Sequence, residues 1–560
     1  MSRSSFNVRN LLACVFSWAL AATLCAGIAT ADAQTMQRPR QQRSGAQGAS
    51  DGAAAKVVEE AVAVFGRGDE AAARTLFDRA LQLDPKNVTA HTYLGIMSDR
   101  AGDLAEAERH FAAAAIAAPL LPSARNNHGA ILFRLGRVPE AVKQFETSLK
   151  LDRNQPSALV NLAQIRFSQG TPESLRAALE LFTRAQALEP DAGITRALVV
   201  TALRLSDRAA AAAGYRDYAA RVASGAGAEV AGAAARADLG AALLEAELFT
   251  EAAEELKAAV AADPSNVDAV VRLGKAYVAL KDLPAAGRTL EGAVARGVEA
   301  APVYALLSSV YEQTGHVENA IPAMRLAIVR DPQREEYRFR YGMLLTNVLA
   351  PGAAVIRLEE ALRAFPNSAR LWFALGLAQF RWSKNDDAAK AFTRAVELDE
   401  KFAPAYAYLG MTFVELGRYD EAVKLYERAL AADETLGVVH HLIADVLLKR
   451  QDPPLPLIES HLDRAVKMDE TFAPARLALA KIYIRTNRYA EAAAALERVI
   501  GVDPKLAEAY YQLGRAYLRL GRKAEGEATL EKFKQLSEEQ KTQAQNERRE
   551  IVRRLANVLF

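Results

Sequence analysis

The chain has 560 residues, 51% of them hydrophobic and 25% charged, and its 70 basic and 68 acidic side chains leave a net charge of +2. This excludes disorder as the main state and argues against nucleic-acid binding through bulk charge. Two cysteines and seven histidines also disfavour a disulfide scaffold or a zinc cluster.

Residues 1–33 have the form of a secretory signal peptide. Arg3 and Arg9 make a basic start, Leu11 to Ala29 is an uncharged apolar run, and Ala31-Asp32-Ala33 is an A-x-A cleavage site before Gln34. The run is also long enough to span a bilayer, so an uncleaved inner-membrane anchor is the alternative. The A-x-A site favours cleavage, and with it a periplasmic or secreted protein. Cys14 and Cys25 both fall in the removed segment, so the mature chain is expected to carry no cysteine and no Cys-ligated metal. Residues 34–53 are rich in Gln, Arg, Gly and Ser, lack a hydrophobic period, and read as a flexible linker.

From residue 54 one period runs onward. Unit starts fall at 54, 88, 122, 156, 193, 233, 267, 301, 335, 369, 403, 437, 473 and 507, and the last unit ends at 540. Eleven units have 34 residues; those starting at 156, 193 and 437 carry 3, 6 and 2 more. The unit at 403 has Tyr406, Leu409, Gly410, Phe413, Gly417, Ala422, Tyr426 and Ala429. The same phase gives Leu94, Gly95, Gly102, Ala107, Phe111, Ala114 and Pro119, then Trp372, Leu375, Gly376, Ala388, Phe392 and Ala395, and finally Tyr510, Leu513, Gly514, Tyr517, Gly521 and Leu530. This resembles the tetratricopeptide repeat (TPR), W-x2-L-G-x2-Y…A-x3-F…A…P. The resemblance implies an all-α solenoid of about fourteen helix-turn-helix repeats, wound as a right-handed superhelix.

The pattern has a physical reason. Small residues at position eight (Gly95, Gly129, Gly240, Gly274, Gly376, Gly410) and position twenty (Ala107, Ala141, Ala252, Ala422, Ala492) let two helices approach. Large residues at seven, eleven and twenty-four fill the space between them. Proline at thirty-two (Pro85, Pro119, Pro264, Pro332, Pro366, Pro504) stops the second helix, and Asn87 and Asn266 stand where the next helix needs an N-cap. One unit cannot bury its own faces, so neighbours must stack.

Units one to four occupy 54–192 and units six to fourteen 233–540. The unit at 193–232 is degenerate, with Arg196, Val199 and Val200 in consensus positions and a glycine-rich end. It is either a longer loop in a continuous rod or a joint, and the immediate return of phase favours the rod. In 541–560, Ile551, Leu555, Val558 and Leu559 share a helical face, which suits a C-terminal cap better than a partner-binding or membrane-surface helix.

No G-x-x-x-x-G-K-[ST], G-x-S-x-G or H-E-x-x-H motif occurs. His441 and Asp445 share a helix face, but no third ligand can be placed, so a solvated pair is expected and no metal or cofactor. The repeats leave no room for a catalytic domain. The resemblance instead implies a concave face lined by first-helix positions two, five, six, nine and twelve. Mapped here, these give Phe339, Arg340, Met343, Phe373, Phe380, Tyr408, Met411, His441, Tyr511 and Arg515, with Asn127 and Asn161 as two rungs of an asparagine ladder. Aromatics beside arginines suit a protein- or peptide-binding groove. The carboxylate clamp of chaperone-binding TPRs is not matched. The expected function is a non-catalytic protein- or peptide-binding scaffold of the bacterial periplasm or cell envelope, not a nucleic-acid binder. The alternative is a scaffold in envelope polysaccharide synthesis or export machinery.

Overall fold

The computed structural model describes residues 45–225, 232–348, 350–539, 549–550 and 553. The expected signal peptide lies outside these residues, as does the terminal cap apart from three positions. Twenty-eight helices run from Gly45 to Glu539, and no strand occurs among the described residues. Thirteen successive first and second helices pack as antiparallel pairs. Twelve first helices begin on the residue that the period marks; the unit expected at 193 begins at Ala192. The first helix spans Gly45–Gly66, so residues 45–53 are helical and not linker.

The helix boundaries follow the sequence chemistry. Second helices end at Leu83, Ala117, Ala262, Arg330, Ala364 and Val502, each two residues before the proline at position thirty-two. Asn87 and Asn266 do cap, their side chains accepting from the backbone N–H groups of Ala90 and Ala269, each at 3.0 Å. The turn inside most units has a left-handed residue, for example Gly417 at φ +75°.

Within a unit, the small residue of the first helix lies under a large side chain of the second. A Cβ on Gly95 would stand 2.8 Å from the Phe111 ring, on Gly376 2.7 Å from Phe392 and on Gly410 2.5 Å from Tyr426. Where the partner is Leu256 or Leu530, the facing Gly240 and Gly514 are equally tight, at 2.6 and 2.7 Å. Ala107, Ala141, Ala252, Ala422 and Ala492 are fully buried on the other side of the contact.

The chain divides into two compact units, Met1–Val310 and Tyr311–Phe560. The degenerate repeat lies inside the first. Contacts bond the two sides of its glycine-rich end: Arg196 donates to the Ala235 carbonyl at 3.2 Å, and the Tyr215 hydroxyl meets Glu255 at 3.1 Å and Glu254 at 3.2 Å. Burial pushes the carboxyls of Glu255 and Asp238 above their ordinary range and lowers the Arg196 guanidinium, against the pull of the opposite charges around each.

The glycine contact gives a paired prediction. Gly410→Ala should cost about 1–3 kcal/mol, because the Tyr426 ring must shift. Gly501→Ala, in the helix Tyr489–Val502 with nothing within 4 Å of its added carbon, should gain up to about 1 kcal/mol. Unfolding midpoints of the two variants check the contrast.

Candidate functional site

Most of the residues mapped to a concave groove are core. Phe373 is 0% exposed, Tyr408 1%, Phe339 2% and Met343 4%. Phe380, Met411 and His441 are also buried. These seven are therefore corrected from groove to interior. The reason lies in how closely successive first helices pack. Phe373, on Ala369–Arg381, has its ring centroid 5.5 Å from that of Tyr408 on Ala403–Glu415, and 5.6 and 5.0 Å from those of Phe392 and Phe402. Phe380 and Phe392 also meet Tyr408, at 6.4 and 5.8 Å. Large side chains at positions five, six and twelve thus close the face that smaller ones would leave open. His441 packs edge-on to Phe472 at 5.3 Å, and burial holds its imidazole well below the ordinary value, down to about 4; Asp445 opposes that shift and Lys481 adds to it.

Four mapped residues keep some contact with solvent. Arg340 and Asn161 are half-buried, and Tyr511 and Arg515 are exposed. The last two belong to a strip on Ala507–Arg519. Glu508, Tyr511, Arg515 and Leu518 are spaced three, four and three residues apart and share one helix face. Tyr511 is 36% exposed and Leu518 42%. Neighbouring side chains contact the strip. The Arg515 guanidinium lies 5.5 Å from the Tyr511 ring centroid, and the Phe533 ring flanks Tyr511 at 5.1 Å. Lys481, from the preceding first helix, pairs with Glu508 at 2.5 Å. The strip presents an aromatic ring, an aliphatic side chain and a guanidinium side by side.

The asparagines sit differently from the expected ladder. Asn127 is buried at 8% exposure and accepts from Asn126 at 3.4 Å. Asn161 donates to the Asn126 Oδ1 at 3.0 Å. Asn127 is thus corrected from a groove rung to part of a buried amide chain, because its neighbour Asn126 takes the cross-helix position. Among the described residues, no group of three His, Cys, Asp or Glu side chains could hold a metal ion, and no helix is long and apolar enough to cross a membrane.

A model of the tetratricopeptide repeat family matches residues 47–122, 126–193, 351–400, 383–436 and 477–540. The chain belongs to the tetratricopeptide repeat family. Two further models of the same repeat match 243–310 and 301–334. No curated protein matches the chain. Among solved structures, yeast Tom70 is 18% identical, with 78% of this chain and 96% of its own covered and a TM-score of 0.37. The Cut9–Hcn1 hetero-tetramer of the APC/C gives 12% identity, 81% and 95% coverage and a TM-score of 0.36. YrrB, a TPR protein with an unusual peptide-binding site, is 24% identical over 32% of this chain and 91% of its own, with a TM-score of 0.29.

In this TPR array, positions five, six and twelve of the units at 369 and 403 serve packing, whereas the same face of the unit at 507 meets solvent. Phe373→Ala should therefore act on stability, lowering it by about 3–5 kcal/mol through the cavity it leaves. Thermal unfolding of the variant checks this; a groove residue would leave the midpoint near wild type.

Proposed function

We propose that this TPR protein is a non-catalytic scaffold that binds a protein or an extended peptide. The strip of Lys481, Glu508, Tyr511, Arg515 and Leu518 is its recognition surface. The observation that carries this reading is the strip itself. Tyr511 and Leu518 are exposed beside Arg515, on a helix whose opposite face is buried through Leu513, Gly514 and Tyr517. Rigid aromatics and arginine give contact area and directional bonds at low ordering cost. The near absence of net charge fits recognition through such local features more than through long-range steering. The non-catalytic reading is supported by the repeats, whose helix pairs take up the described residues from Gly45 to Glu539.

A pull-down on the immobilised protein, followed by titration of the captured partner, tests the surface. Tyr511→Ala with Arg515→Glu should weaken binding by ~2 kcal/mol or more, the scale of a hot-spot truncation. Unchanged affinity removes the strip from the interface.

The proposal also places the protein outside the cytoplasm, in the periplasm or cell envelope. It rests on the basic start, apolar run and A-x-A site of residues 1–33. N-terminal sequencing of the protein from fractionated cells should begin at Gln34; a sequence beginning at the initiator end, in the membrane fraction, would replace release by anchoring.

A further inference from the structure

Two pairs of histidines lie outside the exposed strip and share one geometry. His91 is the fourth residue of Val88–Arg100 and His110 the seventh of Leu104–Ala117. His440 is the fourth residue of Gly437–Leu448 and His461 the seventh of Leu455–Met468. In each repeat the rings meet across the helix pair through their Nδ1 atoms, 3.0 Å apart in one and 2.9 Å in the other. The ring centroids are 5.3 and 5.1 Å apart, and the planes are inclined by 45° and 44°. The same arrangement thus occurs twice, at equivalent places in two distant repeats.

Two imidazoles this close hold one proton between them, one Nδ1–H donating to the other lone pair. In the first pair a further contact fixes which ring has the lone pair. The His91 Nε2 lies 3.1 Å from the Pro85 carbonyl oxygen. A carbonyl can only accept, so Nε2 carries the His91 proton and Nδ1 presents its lone pair towards His110. An outer hydrogen bond to a backbone carbonyl is also what orients and strengthens a metal-binding imidazole. If His110 shifts its own proton to Nε2, both lone pairs face the gap, and a metal ion can take the place of the shared proton.

The ligand chemistry points to the ion. Nitrogens held 2.9–3.0 Å apart subtend about 90° at a metal about 2.05 Å from each. A right angle suits the adjacent positions of a tetragonal site, the preference of copper(II) with nitrogen ligands, and copper(II) also heads the affinity order of the divalent first-row metals. We propose that His91–His110 and His440–His461 are two copper(II) chelate sites, each clamping the two helices of its repeat, with water completing the coordination.

Calorimetric titration of the purified chain with copper(II) tests this. Wild type should bind two more ions per chain than the His110→Gln, His461→Gln double variant, and each single variant should lose one site. The weakening should exceed the ~10-fold that loss of even an outer hydrogen-bond partner costs. Zinc should bind these sites more weakly than copper(II), and His316→Gln, on an exposed ring, should leave the titration unchanged. Copper should also raise the unfolding midpoint of wild type, because it binds the folded pair and not the separated rings. Equal copper stoichiometry in wild type and a folded double variant overturns the proposal. So does a copper(II) paramagnetic resonance spectrum of wild type that lacks coupling to two imidazole nitrogens, a result that needs no variant.

Discussion

The contact on which the rest of the structure depends is a small residue of one helix seated under a large side chain of the next. Gly95 under Phe111, Gly376 under Phe392 and Gly410 under Tyr426 set how close two helices of a repeat come. Dispersion falls steeply with separation, so this closeness determines how much each ring gains from its surroundings. A repeat that cannot bury both faces alone is stable only as part of an array. Stability is therefore distributed along the chain rather than held in one centre.

The same closeness explains where recognition can occur. In the units at 369, 403 and 437 the first helices carry aromatic or large apolar side chains on the face that a groove would use. Phe373 and Tyr408 fill that face and seal it. In the unit at 507 the equivalent positions hold Tyr511, Arg515 and Leu518, and they meet solvent. One repeat pattern thus gives interior at one place and surface at another, and the choice rests on what lies beside each helix.

That distinction separates what the sequence discloses from what it conceals. Helix boundaries were legible because each rests on local chemistry: Asn87 caps through its own side chain, and the second helix ends two residues before Pro85. The Gly410–Tyr426 contact was legible because the period places it. The fate of Phe373 was not, since position five is free only if the following first helix stands off, and that spacing is a property of several side chains together. The histidine pairs were hidden for a related reason. His91 and His110 are 19 residues apart and His440 and His461 21, so no local motif contains either pair. Only the repeat register, the fourth residue of one helix against the seventh of the next, brings them together.

The aromatic face of the middle first helices is closed, while that of the last is open. Hydroxyl-radical footprinting of the folded chain, read residue by residue by mass spectrometry, measures this directly. Tyr511 and the 44%-exposed Trp382 should be oxidised readily, while Phe373 and Tyr408 stay protected until the array unfolds. Oxidation of Phe373 and Tyr408 at the rate of Tyr511 in the folded chain would restore the open groove.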